Sequence, residues 1–277
     1  GTPISIVIYN QDVDSSHYEP IKDILRPGHA QYTYLQKYGV YDYRGGGRAS
    51  ARETACRVAA GAVAKKILDR QGIQVKAYLN SVGHIYAKVI DFEYLAESRL
   101  FCSEQEFEQQ VLTLLKQYQQ EGDSVGGKVG FYIQGLPVGL GDPVYEKLEA
   151  NLAKAMLSMP ASKGFEIGEG FLASSAKGSD FNDVFALAQE KISMQSNHAG
   201  GTLGGISSGM PLYGQVAFKP TSSIQKHQDS LNLKGEEATF SLPPGSRHDP
   251  CVAIRAVPVV EAMCYLVCVD AMLMNRL

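Results

Sequence analysis

Apolar positions along the chain fall into a few distinct patterns. Residues 4–9 (ISIVIY) are a mostly apolar run of strand length, broken only by Ser5. They predict a short strand entered at full stride, so the chain reads as one that begins in the middle of a fold. Residues 10–49 lose all periodicity and are rich in Gly, Tyr and Arg. Long irregular segments in compact proteins are functional or disordered, and the tyrosines argue against disorder. Order returns at Ser50, where Ser50 and Glu53 spell the S-x-x-E capping box ahead of ARETACRVAAGAVAKKIL. That predicts a helix with Lys65 and Lys66 near its C-terminal end, where cations suit the dipole. Its many alanines would let neighbouring backbone approach, which predicts a buried helix.

Residues 75–92 read as strand material with a central glycine. Ser103 and Glu106 repeat the capping box before a helix running to about Gln120 and stopped by Gly122. Residues 128–137 alternate as a strand, 139–143 make a turn, and 144–159 show the period of an amphipathic helix. Residues 162–209 are glycine-rich and polar. PLYGQVAFKP is a strand that must leave its ladder at Pro220. Residues 225–246 look like an exposed excursion, and a closing helix is expected to start near Pro258. No repeat and no long linker divides the chain. The pattern predicts one intertwined α+β domain.

Charge narrows the function. Lys+Arg number 26 against Asp+Glu 29, a formal net charge of -3. This argues against general nucleic-acid binding, which needs a basic field, but leaves room for a local basic pocket. No uninterrupted apolar run of bilayer length is evident, and no basic region precedes the first apolar run as in a secretory signal. The five cysteines are irregularly spaced with no CxxC pair, which reads as reduced core cysteines of a cytosolic protein. None of the six histidines is paired at HxH or HxxxH spacing, so no metal site is expected.

Candidate chemistry gathers in six segments. RGGGRASARE (44–53) runs three glycines into a helix N-terminus, where free N–H groups attract anions, and adds Arg44, Arg48 and Arg52. It is neither a Walker loop nor a Rossmann fingerprint, and a solvated turn is its plain alternative. His29 follows Pro27 and Gly28 in a turn that presents it for proton transfer, unless it is only a surface histidine. SNHAGG (196–201) and GGISSG (204–209) could wrap a phosphate or a ring edge, or be glycine turns. KPTSS (219–223) puts one cation before three hydroxyls, a clamp for phosphate or carboxylate. RHDP (247–250) places Arg247, His248 and Asp249 together, as a site or as a salt-bridged turn. Together they describe an enzyme with a large, locally basic pocket for anionic ligands, including a phosphate-bearing flat cofactor. Residue types alone do not name the reaction.

The segments RPGHAQYTYLQKYG, DYRGGGRASARETACRVAAGAVAKK, EGDSVGGKV, GLPVGLGDPV, KGFEIGEGF, QSNHAGGTLGGISSG, FKPTSSI and RHDPCVAIRAVPVVEAM occur in this order. In them the chain resembles the chorismate synthase family over nearly its whole length. The resemblance implies an α+β sandwich with central helices between antiparallel sheets, and a homotetramer. It implies a lyase that eliminates phosphate from 5-enolpyruvylshikimate 3-phosphate to give chorismate. The family needs reduced FMN without net redox change, and some members reduce their own flavin with NADPH.

By the same resemblance His29 matches the histidine assigned to protonation of the reduced flavin. Arg48, Ala49 and Ser50 match its contacts at the glycine-rich motif, with Ala49 in place of a frequent serine. Pro160 and Ala161 match another contact, Pro160 replacing a common asparagine. Gly204, Lys219, Pro220, Thr221, Ser222, Ser223 and Arg247 match further ones. Asp249 matches the acid near flavin N5, with Asp270 as a second candidate. The family's GESHG-type motif has no counterpart, and His17 in DSSHYEP is not its equivalent. The chain is therefore read as N-terminally incomplete. A flavin oxidoreductase acting on a phosphorylated metabolite and an inactive flavin-binding fragment remain the alternatives.

Overall fold

The computed structural model describes residues 2–11, 14–44, 47–188, 190–243, 246 and 249–275, less the side chain of Lys191. The elements run α1 (Gln31–Tyr38), α2 (Thr54–Asp69), β1 (Gln74–Val82), β2 (Ile85–Tyr86), α3 (Phe92–Glu97), α4 (Gln105–Glu121), β3 (Gly127–Gln134) and α5 (Leu148–Leu157). They continue β4 (Ser162–Ile167), α6 (Gly178–Phe181), β5 (Phe185–Ala188), β6 (Lys191–Met194), β7 (Thr202–Leu203), β8 (Ile206–Ser207), β9 (Leu212–Phe218), β10 (Gln228–Leu231), β11 (Glu237–Phe240) and α7 (Val252–Met274).

One antiparallel sheet of order β2-β1-β3-β9-β4 carries the fold, and three two-stranded hairpins pair β5 with β6, β7 with β8 and β10 with β11. Period-2 alternation buries Leu212, Val216 and Phe218 of β9 on one face. In register beside them lie Val129, Phe131 and Ile133 of β3, and beyond those Val75, Ala77 and Leu79 of β1. Against this face packs α7, which also meets α2 and α5. Each fully buried aliphatic or aromatic side chain stabilises by about 1.5–3 kcal/mol. The α2–α7 crossing is tight, since a Cβ on Gly61 would lie 2.5 Å from the Cβ of Ala262. Deep in the core the Tyr265 hydroxyl accepts the Val75 N–H at 3.2 Å.

The expected α+β architecture of helices with antiparallel sheets is present, and several local expectations need correction. Residues 4–9 form no strand. Ile4 is 73% and Val7 68% exposed, because no described strand offers them a ladder. The irregular stretch contains α1, whose Gln, Tyr and Thr positions give no apolar period and which Gly39 ends at φ +72°. Only one face of α2 is buried, through Gly61, Ala64 and Leu68, while Ile67 is 40% exposed. The strand material of 75–92 divides into β1 and β2 before α3, whose Asp91 cap accepts from Glu93 N and Tyr94 N.

The second capping box does not form: the buried Ser103 hydroxyl donates to Val89 O instead. Gly122 does end α4, at φ +64°. The expected helix from 144 begins at Leu148, and the 225–246 excursion holds the β10–β11 hairpin. Pro258 lies inside α7, which starts at Val252.

By length and average composition α7 could cross a bilayer, although Arg255, Glu261 and Asp270 interrupt its apolar run. Half of its most apolar window is buried within the protein, as expected of a core helix. Cys102, Cys251, Cys264 and Cys268 are buried free thiols, whereas Cys56 is exposed. Burial pushes the Cys268 thiol up to about 12 and raises Cys264 as well, so neither is a nucleophile at neutral pH.

Candidate active site

The end of β9 organises the site. Once Pro220 takes the chain off the ladder, Thr221 Oγ1 donates to Asp249 O at 3.0 Å and Thr221 O accepts from Ser124 Oγ at 2.8 Å. Lys219 Nζ donates to Gly28 O at 2.9 Å and also bonds Ser222 Oγ, which itself donates to Gly28 O at 2.8 Å. Lys219 and the Ser222 hydroxyl therefore grip the turn that precedes His29. That turn needs its glycine, because Gly28 sits at φ +66° with Ser222 Oγ 3.2 Å from where a Cβ would be.

Gln31, almost wholly buried, holds the turn from the other side. Its Oε1 accepts from Arg26 N at 3.1 Å and its Nε2 donates to Lys22 O at 3.3 Å. The tyrosines and cations form a cage here. Arg26 lies 5.1 Å from the ring centroid of Tyr18 and donates to the Tyr41 hydroxyl at 3.3 Å. Tyr41 in turn meets His29 edge to face at 6.1 Å.

His29 Nδ1 accepts the Gln31 N–H at 3.2 Å, so the ring's own proton sits on Nε2 when it is neutral. Burial first, then the positive charges of Arg26 and Lys219, lower its pKa to about 4. In the ligand-free protein His29 is thus a neutral imidazole at pH 7. Burial, with Lys163 nearby, lowers the Lys219 pKa from its ordinary value.

The cap at Ser50 forms in part. Ser50 Oγ accepts from Arg52 N at 3.3 Å, but Glu53 turns to Arg57 instead of closing the box. Arg44 pairs with Asp42 at 2.8 Å in an exposed turn, which corrects its expected role as free cleft charge. Arg52 donates to Asn10 Oδ1 at 2.9 Å. Across from this helix start, Ala161 adopts φ +67°, a region L residues rarely enter, and its carbonyl accepts from Lys219 N at 2.9 Å.

These segments enclose two adjoining clefts that share Ala51, Met159, Pro160, Thr221 and Val252. The first, about 580 Å³, is lined by His29, Arg48, Ala49, Pro160, Ala161, Lys219, Pro220, Thr221 and Ser222. The second, about 610 Å³, adds Ser50, Arg52, Asp249 and Arg255. Both have the size of cofactor or substrate sites. Asp249 pairs with Arg255, and its Oδ1 accepts from Cys251 N at 3.2 Å.

Ser223 follows Ser222 but is not among the residues lining either cleft. Gly204 is not brought there at all. It sits at the tip of the β7–β8 hairpin, whose Gly205 O accepts from Leu148 N at 2.8 Å. Asp270 lines a separate cleft of about 660 Å³ between α5 and α7, with Asp142, Glu146 and Lys154. Arg247 and His248, like Gly45 and Gly46 of the glycine turn, lie outside the described residues.

His198 is committed to its own loop. Its Nδ1 is 3.0 Å from Phe181 O, and Asp183 accepts from His198 N, Ala199 N and Ser196 Oγ. Sequence reading missed Glu53, Arg57 and Ser158 in the first cleft. The i,i+4 spacing of Glu53 and Arg57 was the available signal, whereas Ser158 offered none. Among the described residues no group of three or more His, Cys, Asp or Glu could hold a metal.

The family model of chorismate synthase matches residues 1–273. A chorismate synthase of Protochlamydia amoebophila (strain UWE25) is 59% identical over 286 aligned positions, covering 100% of this chain and 78% of the relative. A crystal structure of chorismate synthase superposes with a TM-score of 0.74 at 30% identity, covering 89% of this chain and 70% of that one. With matches of this extent, the chain belongs to the chorismate synthase family of lyases.

Proposed function

We propose that this chain forms chorismate by eliminating phosphate from 5-enolpyruvylshikimate 3-phosphate, with reduced FMN seated in the two adjoining clefts. The observation that carries this reading is convergence. His29, Arg48, Pro160, Ala161, Lys219 and Ser222 come from four distant segments and line one cleft. The donor set suits such a ligand, since a lysine, an arginine and hydroxyls favour phosphate while the Pro160–Ala161 backbone offers a flat wall.

Arg48, Lys219, Thr221 and Ser222 would hold anionic groups, with Ala49, Ser50, Pro160, Ala161 and Pro220 shaping the seat. Ser223, Gly204 and Arg247 keep flavin roles by family likeness alone. Held by these residues, reduced flavin would supply electron density for the elimination. His29 offers a hydrogen bond from Nε2 while neutral. A bound anion would offset Arg26 and Lys219, raise its pKa and let it exchange a proton. Asp249, balanced by Arg255, is the carboxylate available on the other side of Thr221. Family likeness further suggests a cytoplasmic homotetramer, with NADPH as the reductant where a member reduces its own flavin.

The test is anaerobic phosphate release from 5-enolpyruvylshikimate 3-phosphate with photoreduced FMN. Turnover with flavin used catalytically is the expected result. One nicotinamide oxidised per product would overturn it in favour of an oxidoreductase, and flavin binding without phosphate release would leave a binding protein.

A further inference from the structure

Arg57 lines the first cleft, yet none of the ligand roles above accounts for it. It lies in the first turn of α2, four residues after Glu53. Its Nε donates to Glu53 Oε2 at 3.3 Å, and its Nη2 is 3.0 Å from Glu53 Oε1. The rest of the fork crosses to the end of α5. Nη1 donates to Ser158 Oγ at 2.7 Å and Nη2 to Ser158 O at 3.3 Å. Ser158 hands its own hydroxyl hydrogen to Ala155 O at 2.6 Å. Every nitrogen of the guanidinium is engaged by protein, and Glu53 balances its charge. Little of it remains to offer a ligand.

What Arg57 holds is the strained wall of the cleft. From Ser158 the chain turns through Met159 and Pro160 into Ala161, at φ +67°. The far end of the turn is held by Lys219 N on Ala161 O at 2.9 Å. A backbone in a sparsely populated conformation persists only where its surroundings over-determine it. Local bonds from Met159 N to Met156 O and from Ser162 Oγ to Met159 O close the turn on itself, and Arg57 is the side chain that ties its start to α2.

We infer that Arg57 is a positioning residue, whose Glu53-braced fork locks the 158–161 turn so that Pro160 and Ala161 present a fixed backbone wall to the ligand. The inference rests on the proposed seat of FMN in this cleft. It predicts that the fork matters and that charge alone does not suffice. Arg57→Lys keeps the ion pair with Glu53 but cannot reach Ser158 in two places.

The experiment pairs fluorescence titration of oxidised FMN with amide hydrogen exchange in the ligand-free protein, on wild type, Arg57→Lys, Arg57→Ala and Glu53→Gln. Arg57→Lys should remain folded, with FMN affinity roughly tenfold to a hundredfold weaker, the range for losing hydrogen bonds to a charged group. The Met159 and Ser162 amides, bonded to Met156 O and Met159 O, should exchange faster while those of α4 do not change. Unchanged affinity and unchanged exchange in Arg57→Lys would overturn the proposal. Weakened, salt-sensitive binding with unchanged exchange would also overturn it and make Arg57 a direct ligand contact. If wild type binds no FMN the seat itself is wrong, and exchange alone then decides whether Arg57 anchors the turn. Should Arg57→Ala fail to fold, Arg57→Lys and Glu53→Gln carry the same comparison.

Discussion

His29 shows how far surroundings can move a single group. Burial and the cations Arg26 and Lys219 lower its pKa from 6.5 to about 4. Between those values the unfolded chain binds a proton that the folded chain does not, so stability falls as pH drops from about 6.5 toward 4. His29→Asn should flatten that part of the melting-temperature profile measured between pH 7 and 4, and an unchanged profile would place the titration elsewhere. In the active enzyme His29→Ala should slow turnover by roughly 10²–10⁴-fold, the range for a positioned acid or base. Oxidised FMN should bind the variant nearly as well as the wild type. Imidazole resonances followed by NMR should show His29 titrating near 4 in the free protein and higher with inorganic phosphate in the cleft. An unmoved value would mean the phosphate does not sit beside it.

At the scale of elements, close approach and loop anchoring matter most. Gly61→Ala would gain up to about 1 kcal/mol of helix propensity. Its Cβ, however, would stand 2.5 Å from Ala262 Cβ and 2.7 Å from Ala262 Cα, atoms that cannot rotate away. Overpacking costs about 1–3 kcal/mol, so net destabilisation is expected in urea unfolding, with Ala262→Gly restoring part of it. The loop carrying His198 hangs on Asp183, whose side chain is 3% exposed. Burial alone would raise the Asp183 pKa, but hydrogen bonds from Ala199 N, Ser196 Oγ and His198 N outweigh it and hold it below its ordinary 3.8. Its contribution is therefore present above about 3.8 and is lost as pH falls through the lower folded value. Asp183→Ala strands those donors and should cost about 1–3 kcal/mol. Faster hydrogen exchange at His198 and Ala199 would locate the loss.

For the whole molecule, a chain of net charge -3 still places Arg48 and Lys219 in one cleft with His29, where Glu53 balances Arg57. Attraction of a phosphate-bearing ligand should weaken with salt, since the screening length is about 10 Å at 0.1 M ionic strength. Isothermal titration of FMN at low and high salt should show this, and Arg48→Ala should lose affinity chiefly at low salt. A loss independent of salt would assign Arg48 to packing. The cleft stands where the ends of β9 and α5 meet the starts of α2 and α7, so its shape depends on the packing of α7 against the sheet.

Short-range physics was legible in the chain itself. Gly122 as a helix stop, the exit of KPTSS from β9, the turn at Gly28 and the cap at Ser50 all depend on neighbours a few residues away. The family motifs likewise named His29, Arg48, Lys219 and Ser222, which the fold brings to one cleft. Other features depended on distant partners. Residues 4–9 carry a strand's apolar run yet form none, because a strand exists only where another offers a ladder. Ser103 had a cap's spacing but found Val89 O instead. The grip of Lys219 on Gly28 spans 191 positions and that of Arg57 on Ser158 spans 101. The low pKa of His29 needs Lys219 brought beside it. Local sequence sets backbone turns and caps because their hydrogen bonds close within a few residues. Burial, charge proximity and the shape of the cleft arise only when the packed core brings remote segments together.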